Sequence, residues 1–401
     1  MKNQILFILF ISQVLTPLVA QNKRISSSKA DEEIKFTPLI HLNATSVKNQ
    51  SATSTCWSFA TTSFMESELL RMGKGEYDLS EMFIVRYNYI NRLKDNFMRN
   101  GRGNTGPGSL AHDWLRIFRE HGIVPDEIYP GLKNGSATHD HGELQDFINA
   151  AAAVPLQRKN ESEEYNEILK AILDTYLGNL TDSFTYRNVT YTPESFAQNL
   201  GINPDDYVEI TSFNHIPWYS QGILEIPDNW SKDKFYNVPL EDLIEIMDHS
   251  LENGYTVNWD GDISEAGFSF SEGLAVLSLS SSQGTFPVKG STASEKGGSS
   301  SDKKNPLLIN KSRTEDLVSQ ETRQVGFENF TTTDDHMMHI TGSLKDQYGV
   351  KYYITKNSWG SDKNRLGGYI YMSENYVRSK TMFVMVCKDA VPQAIRTKLG
   401  F

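Results

Sequence analysis

Cys56 lies in the stretch Asn49–Ala60 (NQSATSTCWSFA), next to Trp57 and six positions after Gln50; the 401 residues hold one other cysteine, Cys387. A thiol that carries an acyl group needs an imidazole to activate it, a third group to orient that imidazole, and donors for the oxyanion. The chain offers a candidate for each part. From Cys56 onward, Trp57, Ala60, Phe64, Leu69, Leu70 and Met72 recur at helical spacing until Gly73 and Gly75. Thr53, Ser54 and Thr55 are all N-cap types. The spacing predicts Cys56 in the first turn of a helix, where unpaired N–H groups and partial positive charge favour thiolate. The Cys56 backbone N–H and the Gln50 amide are the candidate oxyanion donors.

His336 and Asn357 are the candidate base and orienter. His336 starts one predicted strand (336–341) and Asn357 ends the next (351–356). A symmetric hairpin with its midpoint between Asp346 and Gln347, inside the polar stretch 343–349, would set the two residues opposite each other. Their α-carbons would then be about 5 Å apart. Asn357 could fix the tautomer of His336 and turn its other nitrogen towards Cys56. His339 competes for the role, but three positions along a strand is the opposite face. For metal the pattern is poor: two histidines on opposite faces and two distant cysteines, while His139-Asp140-His141 reads as a solvated loop. No metal or other cofactor is expected. A Cys56–Cys387 disulfide is the competing reading of the cysteines; if Cys56 is the nucleophile, Cys387 is a free, buried thiol at the end of a strand.

The chain begins with Lys2, an apolar run Ile5–Ile11 extended by Val14 and Leu15, and a small residue at Ala20. This is the pattern of a secretory signal peptide cleaved after Ala20, too short to span a bilayer. The expectation is an exported, periplasmic or extracellular protein. A net charge of −11 disfavours nucleic acid and anionic membrane as partners.

The remaining chain suits one large or two modest domains. Residues 21–36 are polar and expected to be disordered. Helices are predicted from Ser109 to Gly122, from Asn160 to Gly178 and from Pro239 to Gly254, followed by a strand over 255–259. Residues 278–304, rich in Ser, Gly and Lys, read as a flexible loop within the domain, because strands resume beyond them at 336–341, 351–356, 368–372 and 382–387. Helices early and strands late give an α+β fold.

Gln50, five residues, then Cys56-Trp57-Ser58-Phe59-Ala60 resembles the papain-type peptidase signature. Asp335-His336 resembles its histidine motif, and Lys356-Asn357-Ser358-Trp359-Gly360 with Gly367-Gly368-Tyr369-Ile370 its asparagine motif, all in the family's order. The resemblance spans roughly 36–401 and points to the bleomycin hydrolase and aminopeptidase C branch. A large, partly helical insertion over about 130–240 and the segment ETRQVGFENFTTTDDH suggest that branch.

The resemblance implies a two-lobed catalytic domain over 37–401, with a helical lobe, a β-barrel-like lobe and the site between them. It implies Cys56 as nucleophile, His336 as base then acid, Asn357 as orienter, and Gln50 with the Cys56 N–H as oxyanion hole. Trp359 would shield the His336–Asn357 bond, and Gly106-Pro107-Gly108 would line the substrate wall; from the residues alone, these three also read as a simple turn. Peptides are the implied substrates, and a hexamer is the branch's assembly. Three departures stand out: Thr53 replaces a cysteine, Ser54-Thr55 replaces Gly-Ser, and a short helix from Pro392 stands where the branch has an extended tail in the cleft. Exo- and endo-cleavage both stay open. A catalytically inactive binding protein of the same fold and acyl transfer to an amine are the alternatives.

Overall fold

The computed structural model describes residues 34–132, 136–277, 315 and 317–401. The signal peptide, most of the 21–36 segment and the 278–304 loop lie outside the described residues.

The helices are α1 (Cys56–Arg71), α2 (Glu81–Met98), α3 (Ala111–His121), α4 (Gly142–Arg158), α5 (Glu163–Leu177), α6 (Pro193–Leu200), α7 (Leu240–Glu252), α8 (Gln320–Glu328), α9 (Glu374–Lys380) and α10 (Gln393–Leu399). The strands are β1 (Phe36–His41), β2 (Phe184–Tyr186), β3 (Val189–Tyr191), β4 (Tyr207–Thr211), β5 (Ser220–Ile223), β6 (Lys234–Asn237), β7 (Val257–Gly261), β8 (Phe268–Ser269), β9 (Leu274–Ala275), β10 (His336–Asp346), β11 (Lys351–Lys356), β12 (Tyr369–Ser373) and β13 (Thr381–Cys387). The architecture is the expected α+β.

One large mixed sheet runs β5-β6-β4-β13-β7-β10-β11-β12-β9-β8, with β1 also paired to β10; β2 and β3 form a separate hairpin. One face packs on α1–α6 and the other on α7 and α10. Helix α1 is buried along almost its whole length, as expected of a helix surrounded by core. Phe64, Met65 and Leu69 are fully enclosed, and each contributes roughly 2–3 kcal/mol of apolar burial.

Several boundaries differ from the sequence reading. Strand β10 runs to Asp346 because its second half pairs with β1, from Phe36↔Asp346 to His41↔Gly342. That partner begins inside the segment read as disordered. Gly342 sits at this crossing, where a Cβ would fall 2.2 Å from the Ile40 carbonyl oxygen. Helix α2 escaped the pattern analysis. Its buried face carries Arg86, Asn88, Arg92 and Asn96, and these blur the apolar stripe. Ser162, not Asn160, caps α5, and Leu110, not Ser109, is the N-cap of α3. The 130–240 region is more than a helical insertion, since its strands β4, β5 and β6 extend the main sheet. No helix among the described residues is long and apolar enough to cross a membrane.

Candidate active site

Cys56 opens α1 and is half-buried; Cys387 is buried, and neither cysteine is in a disulfide. The disulfide reading is thereby removed. Thr55 is the N-cap, but no side chain caps the helix. Its hydroxyl bonds instead to that of Thr53 at 2.7 Å. The expected side-chain cap does not form, and the positive end of α1 is left to act on whatever lies before it. Ser54 reaches this turn in the left-handed region, φ 53°, a conformation that suits glycine better.

His336 begins β10 and Asn357 follows β11 by one residue. The ring Nε2 lies 2.8 Å from Asn357 Oδ1. The expected contact exists, but not in the expected register. The hairpin pairs His339 with Lys356 and Ile340 with Thr355, then shifts at a bulge before Gly342↔Ile354. Asn357 therefore falls nearest the level of Met338, and His336 pairs across its other edge with Gly261 of β7. The side chains meet diagonally.

The hydrogen bonds fix the tautomer. The Ser358 backbone N–H donates to Asn357 Oδ1 at 2.7 Å, which identifies that atom as the carbonyl oxygen. His336 must then donate from Nε2, so Nδ1 is the basic nitrogen. Burial pushes the imidazole down to about 4, with the bond to Asn357 partly offsetting it. Trp359 lies tilted against the ring, centroids 4.9 Å apart at 34°. Phe270 and Phe268 meet Trp359 edge-on at 4.9 and 6.2 Å.

Gln50 is fully buried. Its backbone N–H donates to the Ser358 carbonyl at 2.8 Å. The Ser358 hydroxyl donates to Gln50 Oε1 at 2.6 Å. With the amide oxygen held by Ser358, the amide nitrogen is the end of the side chain turned away from Ser358. Asn49 also bridges to Trp359. The loop that enters α1 is thus tied directly to the chain after β11, which brings the Gln50, Cys56, His336 and Asn357 segments together.

Behind Asn357 lies a small cavity lined by Lys48, Glu66, Glu81 and Lys356. Lys356 Nζ donates to Ser63 Oγ at 2.7 Å and Thr45 Oγ1 at 3.1 Å. Burial lowers its ammonium to about 8. This network anchors the end of β11 to α1.

Trp57 Nε1 donates to the Pro107 carbonyl at 3.1 Å, which sets the half-buried run Gly106-Pro107-Gly108 beside the first turn of α1. His339 is not part of this group. It is enclosed against α1, with Nδ1 2.8 Å from Ser63 Oγ. His139-Asp140-His141 is no solvated loop. Asp140 bridges to Ala52, and the His141 N–H donates to the Ala52 carbonyl at 3.0 Å. The segment braces the loop between Gln50 and Cys56. His112, Asp113 and Asp233 approach one another closely enough to suggest a metal site. Both His112 nitrogens are engaged, however, by Glu209 at 2.6 Å and Ser231 at 3.0 Å.

Sequence reasoning quoted Ser358 within a motif and gave it no role. The signal was its place next to Asn357.

Residues 40–203 match the family model described as papain family cysteine protease. Among solved structures, the chain is similar to PepW from Lactobacillus rhamnosis HN001 (DR20), with 18% identity, TM-score 0.65, and coverage of 91% of this chain and 84% of that one. It also aligns with the bromelain protease from Ananas comosus in complex with the E64 inhibitor, at 13% identity and TM-score 0.36, over 85% of this chain and 92% of that one. No curated protein matches the chain. The fold is a papain-like α+β fold, and within it residues 40–203 are similar to the papain family cysteine protease model. The likeness to PepW is one of fold.

Proposed function

We propose that the chain hydrolyses peptide bonds through a thioester on Cys56. His336 Nδ1 takes the thiol proton, and the sulfur attacks the scissile carbonyl carbon. The Gln50 side-chain amide and the Cys56 N–H hold the oxyanion. The imidazolium then protonates the departing amine as the C–N bond breaks and the thioester forms. In the second half His336 removes a proton from water, water attacks the thioester, and the acid leaves as the thiol is restored. Asn357 keeps the ring in the tautomer that both halves require. A buried imidazole resists charging, so the thiolate it creates is also the anion that stabilises it.

One observation carries this reading: Asn357 Oδ1 accepts from both Ser358 N–H and His336 Nε2, leaving Nδ1 as the base. Amine acceptors in place of water have no structural feature in their favour. The finer assignment to the bleomycin hydrolase and aminopeptidase C branch is supported by the partly helical insertion over about 130–240 and by the segment ETRQVGFENFTTTDDH. Export is supported by the Lys2-to-Ala20 pattern.

The test is the iodoacetamide alkylation rate of each cysteine in unreduced protein across acid and neutral pH, paired with hydrolysis of fluorogenic peptides. Selective reaction of Cys56 well below its ordinary pKa of about 8.5, with hydrolysis lost in Cys56→Ala, is expected. An ordinary thiol profile at Cys56 together with no hydrolysis would favour an inactive binding protein.

A further inference from the structure

A cavity of about 540 Å³ opens at one end of the main sheet, and none of the residues given a role in the proposed chemistry lines it. It lies where β4 and β6 begin side by side and β13 finishes: Tyr207 pairs with Cys387, and Ile210 with Tyr236. Helix α3 and the Pro204–Asp206 turn close the other sides. The volume is that of a small-molecule site rather than of a single ion. Leu115, Val208 and Tyr236 give it apolar surface.

The charges on its wall do not balance. Five lysines and arginines line it against three carboxylates, in a chain whose net charge is −11. Every one of those carboxylates already has a cation. Glu209 accepts from His112 Nδ1 at 2.6 Å and from the His112 backbone N–H at 3.0 Å. Burial opposes charge on His112, but Glu209 and Asp113 outweigh it and raise that imidazole to about 9. Asp233 pairs with Arg116, and Asp205 with Arg119 at 2.5 Å. Lys232, Lys234 and Lys388 line the same cavity with no carboxylate partner among the described residues. Lys388 lies 5.7 Å from the centre of the Phe401 ring, and its neighbour Asp389 is taken by Arg396 at 3.3 Å.

Lys232 also stands where its backbone resists it. Its φ is 61°, in the left-handed region that favours glycine. Asn229 fixes this turn. Its carbonyl accepts from the Lys232 N–H at 3.2 Å, and its side chain exchanges hydrogen bonds with the Asp233 carbonyl and N–H, each at 3.0 Å. A lysine held at a position that glycine would fill without strain points to a use for its ammonium group.

We propose that this cavity binds a small molecule carrying a multiply charged oxyanion, with Lys232, Lys234 and Lys388 as its cationic grip. Uncompensated ammonium groups around a recessed wall concentrate positive potential where such a ligand would enter. Two sources share the chemistry: a phosphoryl group, and a cluster of carboxylates. A metal ion suits the wall less well, because Arg116 already stands between Asp113, at 2.9 Å, and Asp233. The inference does not depend on the peptidase reading.

The test is calorimetric titration of the full-length protein, at low and constant ionic strength, with inorganic pyrophosphate and separately with citrate. At least one should bind saturably, with a Kd of about 1 mM or tighter, and the tighter of the two names the source. Lys232→Gln and Lys388→Gln should each weaken binding by at least about threefold, and the double variant by about tenfold. Lys232→Gly, which also relieves the backbone, should lose as much affinity as Lys232→Gln. Lys170→Gln, on α5 and outside the cavity, removes the same charge and should leave the affinity unchanged. No saturable binding of either anion, an equal loss in Lys170→Gln, or full affinity in the double variant overturns the proposal.

Discussion

Gln50 and Ser358 are joined twice: Gln50 N–H donates to the Ser358 carbonyl at 2.8 Å, and the Ser358 hydroxyl donates to Gln50 Oε1 at 2.6 Å. The second bond decides which end of the Gln50 amide is presented as a donor. Ser358→Ala should therefore lower kcat by about tenfold with little change in KM, short of the 10²–10³ expected for losing an oxyanion donor outright. Ser358→Thr, which keeps the hydroxyl, should recover most of the rate. A fall in KM-linked binding alone, or no rescue by Thr, would mark Ser358 as ordinary packing.

Ser54 holds φ 53° just before the nucleophile. Ser54→Gly should remove this strain and stabilise the fold by about 0.5–1 kcal/mol, net of the entropy glycine adds to the unfolded chain. Urea denaturation midpoints of the two proteins measure it.

His141 is buried and its imidazole is pushed down to about 3, chiefly by burial, with His139 adding repulsion. Its neutral form belongs to the fold, while the unfolded chain takes up a proton below about 6.5. Stability from this group is complete above that value and is lost as pH falls towards 3, at about 1.4 kcal/mol per pH unit. His141→Gln should flatten the acid limb of a stability–pH curve. An unchanged slope between pH 6 and 4.5 would contradict the assignment.

Asp335 shows the opposite sign. Burial, with repulsion from Asp262, raises it to about 7. The folded state keeps a proton that the unfolded chain releases above about 3.9, so this group's contribution declines as pH rises through that window to neutrality. Asp335→Asn should gain stability relative to wild type between pH 4.5 and 7.5. The carboxyl accepts from the Ile263 N–H at 3.2 Å, and Asn can preserve that bond. A gap that narrows with rising pH would refute the prediction.

Much of the site was legible because its parts are local. An apolar stripe starting at Cys56 announces a helix whose first turn holds the thiol. The polar stretch between two strand-like runs announces the β10–β11 turn, and so places His336 and Asn357 on neighbouring strands. The register was not legible. It depends on the bulge after Ile340 and on β1 and β7 pairing with β10 from far away in sequence. Helix α2 was missed for a related reason: its buried face carries polar residues whose partners lie far away in sequence, such as Asp174 for Arg86.

The sequence by itself determined the thiol at a helix start, the His and Asn on adjacent strands, the glutamine on the entering loop and the α+β class. Each follows from residue type and short-range spacing, which the backbone's two periodicities translate directly into structure. Only the tertiary structure decided that Ser358 aims Gln50 and that His139-Asp140-His141 braces the loop before Cys56. Those contacts join segments far apart in sequence, and burial and hydrogen-bond completion, not local preference, select them.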